Sequence, residues 1–187
     1  MKKILFGMTA VLFVAASFIA LTSDAGAAEY IGAKKCKACH IKQYKSWESS
    51  GLANSFESLK PGVQADAKKK AGMDPDKDYT GDAGCLKCHT TGYGKPGGFT
   101  TIDATPDLAG IGCESCHGPG SEYRDTMKKN KEYTLAEVKA QGLVVPSEDE
   151  AGCMACHGEG NPFKDKGFDF KAALEKTHDH HPLKKQH

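Results

Sequence analysis

The chain has 187 residues, with 25 Lys and Arg against 24 Asp and Glu, and hydrophobic residues make up 39% of it. This length excludes a large multidomain enzyme and leaves room for one or two small domains. The near balance of charge gives no argument for a nucleic-acid partner.

The first 27 residues have the pattern of a secretory signal peptide. Lys2 and Lys3 precede an apolar run over residues 4–21, and small residues follow at 25–27. An uncleaved anchor is the alternative, because the run is near the lower length limit of a membrane span. A lipoprotein is excluded because no cysteine stands directly after the apolar run, where a lipid would be attached. We therefore expect a cleaved signal peptide at 1–27 and a periplasmic chain over 28–187 without a membrane span.

The predicted elements of the exported chain are helices and loops. Apolar residues at three- and four-residue spacings predict a helix from about Ile41 to Leu59, weakened by Gly51. A short helix is expected at 61–71, and residues 90–106 read as a glycine-rich loop with a small hairpin at 99–102. Thr134 and Glu137 form a capping box. A last helix is expected to start at Asp169 and stop before Pro182.

All eight cysteines fall into Cys-x-x-Cys pairs that are each followed by histidine. The pairs and their histidines are Cys36, Cys39 and His40; Cys85, Cys88 and His89; Cys113, Cys116 and His117; Cys153, Cys156 and His157. This is the attachment motif of c-type haem. Two thiols on one tight turn reach the two vinyl groups of a porphyrin, and the next residue offers an imidazole to its iron.

Three other interpretations compete with haem attachment. Zinc ribbons and thioredoxin-like pairs need Cys-x-x-Cys alone, and a disulfide framework explains an even cysteine count in an exported chain. None of them requires histidine after every pair. Four haems on 160 residues would lie close together and form the core, which agrees with the single tryptophan, Trp47, and the low apolar content. Their propionates would make the loaded protein acidic.

The second axial position of each iron decides between electron transfer and reactivity. An electron carrier is expected to fill both axial positions with protein ligands, whereas a reactive haem keeps one open. Four histidines lie outside the motifs, all in the last ten residues: His178, His180, His181 and His187. The exported chain also has three methionines, Met73, Met127 and Met154, of which Met154 lies inside a motif and is expected to pack.

The chain resembles the tetrahaem cytochrome c-554 family, which contains periplasmic electron acceptors associated with hydroxylamine oxidation and relatives in other respiratory chains. The resemblance covers nearly all of the exported chain. It is carried by Lys34-Lys35-Cys36, Gln43, Ser46-Trp47, Glu57 to Pro61, Asp74-Pro75, Lys77 to Thr80 and Gly110 to Gly120. It implies a mainly α, single-domain multihaem fold over 28–187, with closely packed haem pairs, long loops and little β-structure.

The resemblance also implies axial ligands. The family's terminal-helix histidine matches His178, which would ligate the fourth haem opposite His157. A second family histidine falls at Met127, which is either the distal ligand of the first haem or an ordinary surface methionine, and Tyr123 near it is expected to pack. A third falls at Leu52, which cannot ligate iron, so the third haem is open or uses a tail histidine. The second haem, on His89, is open beneath Pro162 and Phe163.

Three functions follow. The leading hypothesis is an electron shuttle with four c-type haems that serves exported redox proteins. The alternative is a reductase of nitric oxide, hydroxylamine or a related small nitrogen species at an open haem on His89 or His117. A haem-lined filament, in which tail histidines ligate a neighbour's iron, is the third. Lysine clusters at 68–70 and at Lys128, Lys129 and Lys131 are either solvated faces or docking sites for an acidic partner.

Overall fold

The computed structural model describes residues 27–146, 150–163 and 167–177. The predicted signal peptide lies outside these residues except for Ala27, and so do the four tail histidines. Within the described ranges, no helix has both the length and the apolar character that a membrane span requires.

The described chain is mainly helical, as expected. Its α-helices are α1 (Ile41–Glu48), α2 (Ala65–Lys70), α3 (Ala83–His89), α4 (Cys113–His117), α5 (Ser121–Lys129), α6 (Leu135–Ala140), α7 (Glu150–His157) and α8 (Phe170–Thr177). Three short 3₁₀ turns occur at Ala33–Lys35, Ser55–Leu59 and Pro106–Leu108. The described residues form no strand beyond an isolated bridge between Thr90 and Ala109.

The expected hairpin at 99–102 does not form. Instead the Phe99 amide donates to the Thr91 carbonyl at 2.9 Å, and the Thr91 amide donates to the Leu108 carbonyl at 2.9 Å. The loop therefore closes on itself around the buried Phe99 ring. Its backbone groups are paired across the loop rather than in a ladder.

The long helix expected at 41–59 is two shorter elements. It ends at Glu48, turns fill 49–54, and a 3₁₀ turn follows. The hydroxyl of Ser49 donates to the Ser46 carbonyl at 3.0 Å, and that of Ser50 donates to the Trp47 carbonyl at 2.6 Å. Such local bonds compete with helix continuation, and Gly51 adds backbone freedom at the same point.

The helix expected at 61–71 is shorter than predicted, because Gln64 has a left-handed φ of 54° and α2 begins only at Ala65. The prediction of an exposed lysine cluster at 68–70 is wrong for Lys68. It is buried, its Nζ donates to the Lys60 carbonyl at 2.7 Å, and it lies 5.4 Å from the centre of the Tyr79 ring. Lys68 therefore belongs to the packing of α2 and cannot dock a partner.

Two predicted helix starts are confirmed. Thr134 and Glu137 form both bonds of the capping box at α6. At α8 the Asp169 carboxylate accepts a hydrogen bond from the Ala172 amide at 3.0 Å, so the helix begins next to the predicted residue.

The side-chain core is small and surrounds α3. Its buried cluster consists of Phe56, Leu59, Tyr79, Leu86, Phe99 and Leu108. Leu86 lies between the two cysteines of the second motif, and Cys85 packs against the same cluster. This core sits beside one attachment motif and does not extend over the other three, which agrees with an interior completed by a cofactor.

Gly110 sets the approach of the third motif to the 49–54 turns. It has a φ of 87°, and a Cβ there would overlap the Ala53 carbonyl oxygen. Gly72 has a similar φ of 72° with open space around it. We expect Gly110→Ala to lower the free energy of unfolding by at least twice as much as Gly72→Ala, for which roughly 1–2 kcal/mol of left-handed strain is expected. Denaturant unfolding measures both, and equal losses would show that the close approach is unimportant.

Candidate haem-attachment sites

Three of the four motifs are short helical segments that end on their histidine. α3, α4 and α7 finish at His89, His117 and His157, whereas the first motif lies in turns after the 3₁₀ segment Ala33–Lys35. A helical turn places the two cysteines, three residues apart, on one face. None of the eight cysteines forms a disulfide, and the described residues contain no cluster of three metal-ligating side chains. All eight thiols are therefore available for thioether bonds to haem.

The first and third motifs meet at their leading cysteines. The thiols of Cys36 and Cys113 hydrogen-bond to each other, and that bond together with burial raises the pKa of Cys36 above its usual range. These residues are 77 positions apart in the sequence. The fold thus brings two attachment sites together that the sequence separates widely.

The second and fourth motifs meet in the same way. Burial, followed by the nearby thiol of Cys88, raises the pKa of Cys156 to about 12. Cys116 of the third motif also acts on Cys156. Thiol contacts therefore join the first motif to the third and the second to the fourth, and the charge of Cys116 acts on Cys156 between the two pairs.

Two of the motif histidines are oriented by their Nδ1 atoms. Nδ1 of His89 lies 2.8 Å from the Ser55 carbonyl and 3.1 Å from the Ser58 hydroxyl. Nδ1 of His117 lies 3.3 Å from the Val144 carbonyl. A ring that donates from Nδ1 to a carbonyl keeps Nε2 as the metal ligand. These residues therefore fit the axial ligation of a haem held by the adjacent cysteines.

His157 is held by an aromatic ring instead. It stacks on Phe168 with ring centres 4.0 Å apart and planes at 10°. Partial burial lowers the pKa of His157, which favours the neutral imidazole that a metal needs. Phe168 was not identified from the sequence, because no periodic pattern connects it to a histidine eleven residues earlier.

Met127 lies on the face of α5 that carries Tyr123, one turn further along. Tyr123 is buried and its hydroxyl donates to the Gly118 carbonyl at 3.1 Å, so it packs as expected. Burial, then the nearby Cys36, raises the pKa of Tyr123, which places this face of α5 at the first motif. Met127 is half-buried there.

Leu52 lies beside the third motif. It is half-buried, and its carbonyl accepts a hydrogen bond from the Ile111 amide at 2.9 Å, two residues before Cys113. The residue at the histidine position that the resemblance implies is thus joined through its backbone to the segment before the third motif. It offers no ligating atom.

The Pro162-Phe163 pair is anchored to the fourth motif. The Asn161 side chain donates to the Cys156 carbonyl at 3.1 Å and accepts from the Phe163 amide at 2.8 Å. α7, which carries Cys156, packs against α3. The pair therefore lies near the junction of the motifs that carry His89 and His157.

Sequence reasoning missed two buried polar residues that brace the third motif. Thr91 donates to the Gly110 carbonyl at 2.8 Å and accepts from the Gly112 amide at 2.8 Å. Glu114, inside the motif itself, is 1% exposed and accepts hydrogen bonds from three backbone amides. The only local signal for Glu114 is an acid flanked by glycine-rich turns.

Comparison with known proteins gives concordant matches. The family described as cytochrome c554 and c-prime matches residues 35–118. Cytochrome c-554 of Nitrosomonas europaea is 47% identical over 126 residues, which cover 66% of this chain and 54% of that protein. The matched stretch thus spans about half the length of this curated relative.

A solved structure extends the match over more of the fold. The reduced state of cytochrome c554 from Nitrosomonas europaea superposes with a TM-score of 0.63 at 38% identity, covering 82% of this chain and 80% of that one. The chain therefore belongs to the cytochrome c554 family of c-type haem proteins.

Proposed function

We propose that this chain is an exported electron carrier that holds four c-type haems and passes electrons between redox proteins. The observation that carries the proposal is the series of cysteine interactions from the first motif through the third and fourth to the second. Haems anchored at these cysteines would lie near one another. The name of the relative from Nitrosomonas europaea, a cytochrome, supports the same function.

The residues of the chain divide the work among them. The eight cysteines anchor the haems, and the four motif histidines ligate the irons. The carbonyls of Ser55 and Val144 orient two of those imidazoles. When bound, the haems supply one-electron exchange between ferric and ferrous iron. Ligands held in place by packing and hydrogen bonds change little between the two charge states, which favours rapid exchange.

The proposed distal ligands differ from site to site. His178 would complete the fourth site, and Met127 would complete the first from the face of α5 that lies at Cys36. The site on His89 would remain open, and the site on His117 would be open or take His180, His181 or His187 as its distal ligand. The proposed location is the periplasm, reached by cleavage after residue 27, and the proposed partners are exported redox proteins.

A reductase of nitric oxide, hydroxylamine or a related small nitrogen species is the second candidate. Leu52 favours it, because this side chain leaves the third site without the ligand that a purely electron-transferring haem would have. The anchored Pro162-Phe163 pair would limit access at the second site to small molecules.

Complete haem attachment is the first expectation. Mass spectrometry of the exported protein should give a polypeptide that begins near Ala28 plus four additions of about 616 Da each. A species that lacks one addition identifies a motif that does not attach haem. Cys153→Ala with Cys156→Ala should remove one addition.

Ligation by Met127 is tested by optical spectroscopy. Met127→Ala should abolish a methionine-to-iron charge-transfer band and lower the potential of one haem, because thioether ligation favours ferrous iron. Met73→Ala is the control, since Met73 packs against the apolar cluster around α3 and should leave the band in place. A parent protein without this band contradicts ligation by Met127.

Carrier and reductase are distinguished by ligand binding and turnover. The reduced carrier should bind carbon monoxide at no more than two haems and should not consume nitric oxide or hydroxylamine over repeated cycles. Leu52→His supplies an imidazole beside the third motif, so carbon monoxide binding should fall by one equivalent. Sustained consumption by the parent, lost in Leu52→His, would overturn the carrier and establish the third site as catalytic.

A further inference from the structure

Glu114 is the most enclosed charged side chain of the described residues, at 1% exposure. Its Oε1 accepts from the Ile31 amide at 2.9 Å and the Gly120 amide at 2.8 Å, while Oε2 accepts from the Gly32 amide at 2.7 Å and the Ile31 amide at 3.1 Å. Every one of these bonds is donated to the carboxyl group. This is the pattern of an ionised carboxylate, which only accepts.

The surrounding backbone is shaped to admit this carboxylate. A Cβ at Gly120 would lie 2.9 Å from Oε1, so a larger residue there would displace the group. Among the described residues no lysine or arginine forms an ion pair with Glu114. Backbone amide dipoles hold the negative charge without neutralising it.

The charge acts on groups of two attachment sites. Glu114 follows Cys113 directly, and Cys113 contacts Cys36 of the first motif. Burial and then the Glu114 charge raise the pKa of Tyr30, and Glu114 contributes in the same direction at Tyr123 and Cys36. Glu114 has no resolved effect on Cys85 or Cys156 of the second and fourth motifs, and the carboxylate that acts on Cys85 is that of Asp82, which caps α3.

We infer that Glu114 is a positioning residue that also tunes redox potential, and that its buried negative charge lowers the potentials of the first and third haems more than those of the second and fourth. The inference rests on the proposed attachment of haem at these motifs. A fixed negative charge favours the more positive iron, which is the ferric form. One electron reduces each iron.

The expected size follows from Coulomb's law. A unit charge roughly 10 Å from an iron, at an effective dielectric constant of about 20, changes the ferric-to-ferrous ratio by more than tenfold. Tenfold corresponds to about 59 mV for a one-electron couple. A surface carboxylate at similar distance would be screened by water and salt.

The test is a spectroelectrochemical titration of the loaded Glu114→Gln protein, with individual haems resolved by paramagnetic resonance. At a fixed applied potential we expect two of the four haems to shift at least about fivefold toward ferrous iron, and the other two to shift little. Glu122→Gln is the matched control, because it makes the same chemical change at an exposed side chain of α5. It should leave all four potentials unchanged.

Three results would overturn the inference. Four unchanged potentials in a folded, less stable Glu114→Gln protein would reduce Glu114 to a structural residue. An equal shift of all four haems, or a shift confined to the second and fourth, would place its influence elsewhere. A parent protein with no haem at the first and third motifs would instead refute the proposed function, and mass spectrometry recognises that case separately.

A second variant decides the question if Glu114→Gln fails to fold. Ile31 is half-buried and lines a surface cavity together with Lys35, Ser121, Arg124 and Asp125. Ile31→Lys adds a cation on a residue whose own amide binds the Glu114 carboxylate, and it keeps all three amide donors. It should raise the same two potentials, and unchanged potentials in this loaded variant would overturn the inference.

Discussion

The structure depends on one geometric constraint, the placement of two thiols and an imidazole on a single tight turn of the chain. A short helix supplies this turn at His89, His117 and His157, and a non-helical turn supplies it at His40. Each such turn is short, and an isolated helix of this length is not stable in water. The helices that carry the motifs are therefore maintained by what they pack against, and the described side chains supply a compact apolar cluster only at α3. The attached cofactors are the natural remainder of the core.

Local chemistry was predictable from sequence, because its signals are confined to a few residues. The attachment motifs, the Thr134-Glu137 capping box and the start of α8 depend on residues within four positions of one another. The predicted length of the helix that begins at Ile41 was wrong, because hydrogen bonds outside the helical pattern end it early. Its apolar spacing continues to Leu59, but the Ser50 hydroxyl and the Leu52 carbonyl are used in other bonds. The spacing of apolar residues does not reveal these competing hydrogen bonds.

Long-range contacts were not predictable, and they define the site. Nothing in the sequence links Cys36 with Cys113, or Phe168 with His157, because each pair is joined only when the chain has folded. The burial of Lys68 could not be predicted from the sequence either. In the sequence it is one of three consecutive lysines, whereas the fold buries it against Tyr79 and uses its ammonium to satisfy the Lys60 carbonyl. A charge run thus contained one packing residue that composition does not distinguish from its neighbours.

The two ends of the cysteine series have different electrostatic surroundings. The second motif borders the apolar cluster of Phe56, Leu86 and Phe99, and the carboxylate of Asp82 caps its helix. The first and third motifs adjoin the buried carboxylate of Glu114, which would favour the extra positive charge of ferric iron on a haem attached there. Because Asp82 is more exposed to solvent than Glu114, its charge would be screened more strongly. With haems attached as proposed, this difference would favour electron movement from the first and third sites toward the second.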